Sequence, residues 1–257
     1  MRKLILILSV VILFIANVYA QNSRWSINAG AGIAVPIGKF GSKNINDSTA
    51  SFAKIGPAFN VAIDYKLKKN FGLSFLFSGQ QNNVDTKTLD NKLETAFPSY
   101  EFYSTSNNWV TWKFMAGAYI SLPLDKKNKI NFMAHAMAGI LKTSTCKFSQ
   151  MQITNDTLIP GGRTGTVESS EYRKQTVNST FTYLAGVGLQ YNLDKIFSFK
   201  TNIDYSGASL SFARNGYRSS GFVLGTTAGG NPNPTIQAYP KQPFATINWC
   251  AGIGINL

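Results

Sequence analysis

Apolar residues recur at every second position in eight separate stretches of this chain, and that period constrains the fold class before anything else does. Successive side chains of a β-strand point to opposite faces, so each stretch makes a strand with one greasy face and one small or polar face. In the first, Trp25, Ile27, Ala29, Ala31, Ile33 and Val35 alternate with Ser26, Asn28, Gly30, Gly32 and Ala34. Ile55–Tyr65, Phe71–Ser78, Val110–Leu122, Ile130–Ile140, Phe181–Asn192, Phe197–Tyr205 and Ile247–Leu257 repeat the pattern.

The connections alternate as well. Long ones cover 36–53, 80–107, 142–178 and 208–242, and short ones centre on Lys68-Lys69-Asn70, Asp125–Lys129 and Asp194-Lys195. A soluble sandwich has no reason for such regularity; a membrane barrel, with tight turns on one side and long loops on the other, has. Each stretch supplies the roughly 9–11 residues that a tilted strand needs to cross an apolar band. In hydrocarbon every backbone N–H and C=O must be paired within the protein, so the sheet must close. The prediction is an all-β, eight-stranded antiparallel up-and-down transmembrane β-barrel with short periplasmic turns and four long extracellular loops. Trp25, Tyr65, Phe71, Tyr191 and Phe197 fall near the short-turn end, and Phe77, Trp112 and Phe181 near the other, as two interfacial girdles require. In a lipocalin-like soluble barrel the rings would face inward and overfill the interior.

Composition supports this reading. Only 14% of residues are charged while 13% are aromatic, which excludes a disordered polyelectrolyte and argues against a soluble helical bundle. The 25 Lys and Arg outnumber the 12 Asp and Glu, for a net charge of +13. No single basic face gathers them, so nucleic acid is not expected as a partner. Lys66, Lys68, Lys69, Lys126, Lys127, Lys129 and Lys195 instead cluster at the short turns. One His and two Cys leave little room for a zinc site, and no metal or other cofactor is expected.

The N-terminus has its own logic. Met1-Arg2-Lys3, an apolar run from Leu4 to Ala16 and the Val18-Tyr19-Ala20 site form the pattern of a secretory signal peptide cleaved after Ala20. The run is shorter than the about 20 residues of a spanning helix. Position 21 is Gln, not the Cys of a lipoprotein. The expected organisation is a signal peptide over 1–20 and a barrel domain over 21–257. Export takes the chain through the inner membrane to the bacterial outer membrane.

The alternating segments, the Ile120-Ser121-Leu122-Pro123-Leu124 run before a tight turn, and the final strand resemble the outer membrane protein beta-barrel domain family, the small OmpA/OmpX type. Trp249, Ala251, Ile253, Ile255 and Leu257 are similar to the C-terminal signal by which the barrel-assembly machinery recognises its clients. The resemblance covers the whole mature chain and implies fold and location but no catalytic residues. It also leads us to expect the chain to end with the barrel, without the peptidoglycan-binding domain of full-length OmpA-type members.

The inward face carries Asp64, Lys113, His135, Lys200 and Asp204, with Asn28, Asn60, Asn131, Gln190, Asn202 and Asn248 and several Met and Leu residues. An eight-stranded barrel is just wide enough for side chains to fill. Buried charges are tolerated when paired, so these residues read as a hydrogen-bonded plug, with a narrow ion path as the alternative. A membrane-embedded lipid-modifying enzyme would need a His activated by a carboxylate beside a Ser or water. His135 lies mid-strand between Ala134 and Ala136, away from a loop rim, so no enzyme is expected. Cys146 and Cys250 sit on strands that are not neighbours; they either pair across the lumen or remain free thiols.

The long connections hold what remains. Segment 206–242 carries Arg214, Arg218 and Lys241 without an acidic residue, which suits the phosphates of lipopolysaccharide or a solvated loop equally. Segment 84–101 is mildly acidic, with Asp85, Asp90, Glu94 and Glu101. Long loops are commonly functional. The expected function is a non-enzymatic structural or interaction barrel, or a subunit of a larger envelope complex. Its expected partners are outer-membrane lipid, lipopolysaccharide, the assembly machinery and an envelope protein. A small porin-like channel is the alternative.

Overall fold

A computed structural model describes residues 24–47, 49–144, 147–154, 166–173, 177–211, 217–220 and 241–257. The expected signal peptide, Cys146 and Arg214 lie outside that set. Eight strands close a barrel: β1 (Trp25–Pro36), β2 (Gly56–Lys68), β3 (Phe71–Asn82), β5 (Trp109–Pro123), β6 (Ile130–Ser144), β9 (Val177–Asn192), β10 (Phe197–Leu210) and β12 (Gln242–Asn256). Every neighbour is antiparallel and follows in chain order, with β12 returning to β1. That seam pairs Gly30 with Gly252 and Ala31 with Ala251, so small residues face each other across the closure.

The greasy faces point outward. Ile63, Phe75, Phe114, Ile140, Phe181, Leu189, Phe199, Ile203 and Trp249 are all exposed, and the interior positions between them are mostly polar or small, with Leu76, Met115, Met137 and Leu184 as a buried apolar layer. This inversion of a soluble core is the decisive difference from a lipocalin-like barrel. Trp25 and Tyr65 pack at the short-turn rim with ring centroids 4.6 Å apart. Phe59, Phe77, Trp112 and Phe114 form an outer patch in which Phe77 stacks on Trp112. The rings of Phe59 and Trp112 lie over Gly79, where a Cβ would meet them at 2.5 and 2.9 Å.

The strands overrun the expected bounds at the long-connection end: β3 continues to Asn82 and β9 begins at Val177. There the alternation persists inside while the outer face loses its uniform apolarity, so periodicity alone stops early. The long connections also hold structure that the sequence reading assigned to loops. Four further strands, β4 (Tyr100–Ser106), β7 (Phe148–Thr154), β8 (Thr166–Arg173) and β11 (Tyr217–Ser220), make a second antiparallel sheet in the order β11-β8-β7-β4. A helical turn, α1 (Gly38–Gly41), follows β1, entered through Gly38 at φ +56. A helix, α2 (Thr86–Ala96), occupies the acidic segment, with Asp85 accepting from the Thr88 N–H as its N-cap.

The acidic residues of that helix protect a sheet edge. Glu94 accepts the Phe102 N–H at 3.3 Å and Asp90 accepts the Ser104 N–H at 3.0 Å. Both donors belong to β4, an edge strand of that sheet, whose unpaired amides would otherwise template another chain. At the opposite end the tight turns close on their own carboxylates. Asp125 accepts the N–H groups of Lys127 and Ile130, and Asp194 those of Ile196 and Phe197.

Candidate functional site

The inward residues of β5 pass through the whole lumen, from the long-connection end to the short-turn end. Trp109 comes first, in an apolar cluster with Phe40, Ala53, Leu141, Leu210 and Phe244. Phe40 belongs to α1, has no exposed surface, and packs edge-on to Trp109 at 5.5 Å. The first long connection therefore folds back and seals the mouth. It is held there by the Ile37 N–H on the Ala245 carbonyl and by Gln242 on the Thr49 carbonyl at 2.7 Å.

Below the seal lies Lys113, 1% exposed. Its ammonium donates to Ser206 Oγ at 2.6 Å and Gln80 Oε1 at 3.1 Å, and sits 5.7 Å from the Phe244 ring centre. Asn248 and Thr246 donate to the same Gln80 oxygen at 3.2 and 3.4 Å. No ion pair of Lys113 occurs among the described residues. Its charge is instead spread over hydroxyl and amide dipoles and an aromatic face.

Met115 comes next, in an apolar layer with Leu76, Met137 and Leu184. Deeper still, an ion pair and a His–carboxylate hydrogen bond span the lumen. Lys200 Nζ meets Asp64 Oδ2 at 3.0 Å, and His135 Nε2 meets Asp204 Oδ1 at 2.8 Å. Asp64 also accepts from Asn28 at 2.8 Å and from Ser74 at 2.6 Å, and Asn202 donates to Asp204. Lys200 and Asp204 share one strand face but bond to different partners. Around the pairs a cavity of ≈ 80 Å³ remains, lined by Asn60, Tyr119 and Met133 among others, with room for a few waters. Beyond Tyr119 and Ser121 the lumen opens at the short turns into a vestibule of ≈ 420 Å³.

The remaining sequence-singled residues are dispersed. Lys241 is exposed just before β12, and Arg218 falls on β11. Trp249 and Ile253 are exposed on the outer face of β12, and Ile255 continues their stripe. Leu257 donates its backbone N–H to the Trp25 carbonyl at 2.8 Å. Cys250 is a buried free thiol, whereas Cys146 is outside the described residues. The sequence reading missed Gln80, Ser206, Thr246 and Phe40. The first three continue the polar face of β3, β10 and β12, a signal that was present; Phe40 sits in a segment without strand periodicity.

An outward apolar wall, a closed eight-stranded meander and a polar, side-chain-filled lumen define a transmembrane β-barrel. The chain belongs to the outer membrane protein beta-barrel domain family, whose model matches residues 6–229, and is a protein of the bacterial outer membrane. Similar solved structures include Neisserial surface protein A, at 10% identity and TM-score 0.43, covering 91% of this chain and 98% of that one. Ail of Yersinia pestis is 10% identical at TM-score 0.40, with 92% and 100% of the two chains covered. OprG of Pseudomonas aeruginosa is 11% identical at TM-score 0.41, with 92% and 97% covered. A search of curated proteins gives no match.

Proposed function

We propose that the protein is a non-enzymatic interaction barrel that presents its long connections outside the cell, anchored by a lumen that does not conduct. In this reading the short turns face the periplasm, and residues 1–20 are removed on export. The observation that carries it is the sealed mouth: Phe40 and its neighbours close the lumen at the very end where the connections build a second sheet. The His135–Asp204 pair is a His–carboxylate couple, but it lies among lumen side chains, mid-strand, away from any rim a lipid substrate would reach. The partner is an envelope or surface component, with the phosphates of lipopolysaccharide available to Lys241, Arg214 and Arg218. The outward stripe of Trp249, Ile253, Ile255 and Leu257 serves recognition by the assembly machinery.

Two measurements test this together. In planar bilayers the purified protein is expected to give no discrete conductance steps. Affinity purification from native membranes is expected to retain one stoichiometric partner, lost when residues 148–173 are replaced by a short Gly-Ser linker. Stable single-channel steps from the unaltered protein would make it a channel instead.

A further inference from the structure

The vestibule at the short-turn end is lined by five cations, Arg24, Lys66, Lys69, Lys195 and Lys200, and by two acids, Asp64 and Asp194. These cations do not come from one basic run. Arg24 precedes β1, Lys66 and Lys69 come from the end of β2 and its turn, Lys195 from the turn between β9 and β10, and Lys200 from within β10. Closure of the barrel is what brings them around one hollow.

The acids of that wall are already engaged. Both oxygens of Asp64 are taken, by Asn28 and Lys200 on one and Ser74 on the other. Asp194 is turned to its own backbone, and the Phe197 and Ile196 N–H groups hold its carboxyl below the usual range. Among the described residues, Arg24, Lys66, Lys69 and Lys195 form no ion pair. Arg24, Lys66, Lys69 and Lys195 are solvent-exposed, and like charges gathered around one concave opening attract a counter-ion better than the same charges on a flat surface. The floor is blocked by Tyr119, the Asp64–Lys200 pair and the apolar layer above, so an anion that enters stops there. At ≈ 420 Å³ the hollow has the size of a small-molecule site.

We propose that this vestibule is a binding site for a small molecule bearing two or more negative charges as phosphate or carboxylate groups, entering from the short-turn side. Arg24 and the lysines donate charge-assisted hydrogen bonds to its oxygens, and Lys200 closes the bottom. The inference is independent of what the external connections bind. A free anion and the phosphoryl headgroup of an anionic lipid supply the same chemistry.

The test is calorimetric titration of the full mature protein in phosphatidylcholine nanodiscs with pyrophosphate. One saturable site is expected, weakened as salt is raised. The double variant Lys66→Gln/Lys69→Gln is expected to lose at least tenfold in affinity while keeping its heat-dependent gel shift. Lys126→Gln/Lys127→Gln, on the neighbouring turn outside the hollow, is expected to bind unchanged. In phosphatidylglycerol nanodiscs, loss of pyrophosphate binding identifies the lipid headgroup as occupant, and retained binding identifies a free anion. Absence of saturable binding, or an equal loss in both double variants, would overturn the proposal.

Discussion

At Gly186 the wall of β9 is bare beside the His135–Asp204 pair. A Cβ there would stand 2.0 Å from Asp204 Oδ1 and 2.7 Å from His135 Nε2, so the pair can meet only over glycine. Gly186→Ala is expected to destabilise the barrel by about 1–3 kcal/mol through overpacking, read as a lower urea midpoint in lipid. Asp204→Asn keeps the shape but removes the carboxylate that His135 and Asn202 share. Losing hydrogen bonds to a buried carboxylate costs about 1.5–3 kcal/mol each, so its midpoint should fall while bilayer conductance stays absent. A conductance rise without loss of stability would mean that this layer is a filter, not a plug. Alternation along each strand made such inward residues legible by type and face. Their partners were not legible: Asp64 and Lys200 lie 136 positions apart, and His135 and Asp204 lie 69 apart. The stagger of strands around the closed barrel decides which inward residues meet across it.

Among the elements, the first two long connections are joined at one carboxylate. Asp85 caps α2, receives Lys43 Nζ at 2.5 Å and stands 3.8 Å from Lys54 Nζ, while its N–H donates to the Phe52 carbonyl. Burial pushes this carboxyl up, but hydrogen bonds from Lys43 and Thr88 outweigh it and hold it at about 2. Asp47, bonded by Lys39 and Thr49, is likewise lowered to about 2. Both values lie below the ordinary 3.8, so the stabilisation is complete above that pH and is lost as pH falls toward 2. Amide protection factors in 37–53 and 86–96, taken against the intrinsic rate at each pH, should fall between about pH 4 and 2, before those of the barrel strands; a uniform fall would separate these residues from the effect. The carboxylate contacts were not readable from periodicity. Helix α2 buries no residue, yet Leu89, Leu93 and Ala96 recur at helical spacing, a short signal that the reading of strands passed over. Strand β4 is short, with Ser104 inward and Tyr103 outward. Such segments are fixed by pairing with distant chain, whereas the barrel strands carry their solvent's signature at every second residue.

For the molecule as a whole, the closed hydrogen-bonded wall predicts resistance to detergent. Unheated protein should run compactly in denaturing gels and slow after boiling; identical mobility in both would argue against closure. The low charged fraction of the sequence, 14%, now has a place: the outer wall contributes almost none of it, and the charges sit in the lumen, at the turns and in the connections. The filled interior also has a mechanical consequence. A hollow cylinder in a bilayer yields to lateral pressure by becoming oval. A cylinder packed from Phe40 through Lys113 and Met115 to the Asp64–Lys200 pair has little void to give, because protein interiors compress as poorly as organic crystals. A pull applied to the second sheet would therefore pass to the surrounding membrane as a tilt or lift of one stiff rivet.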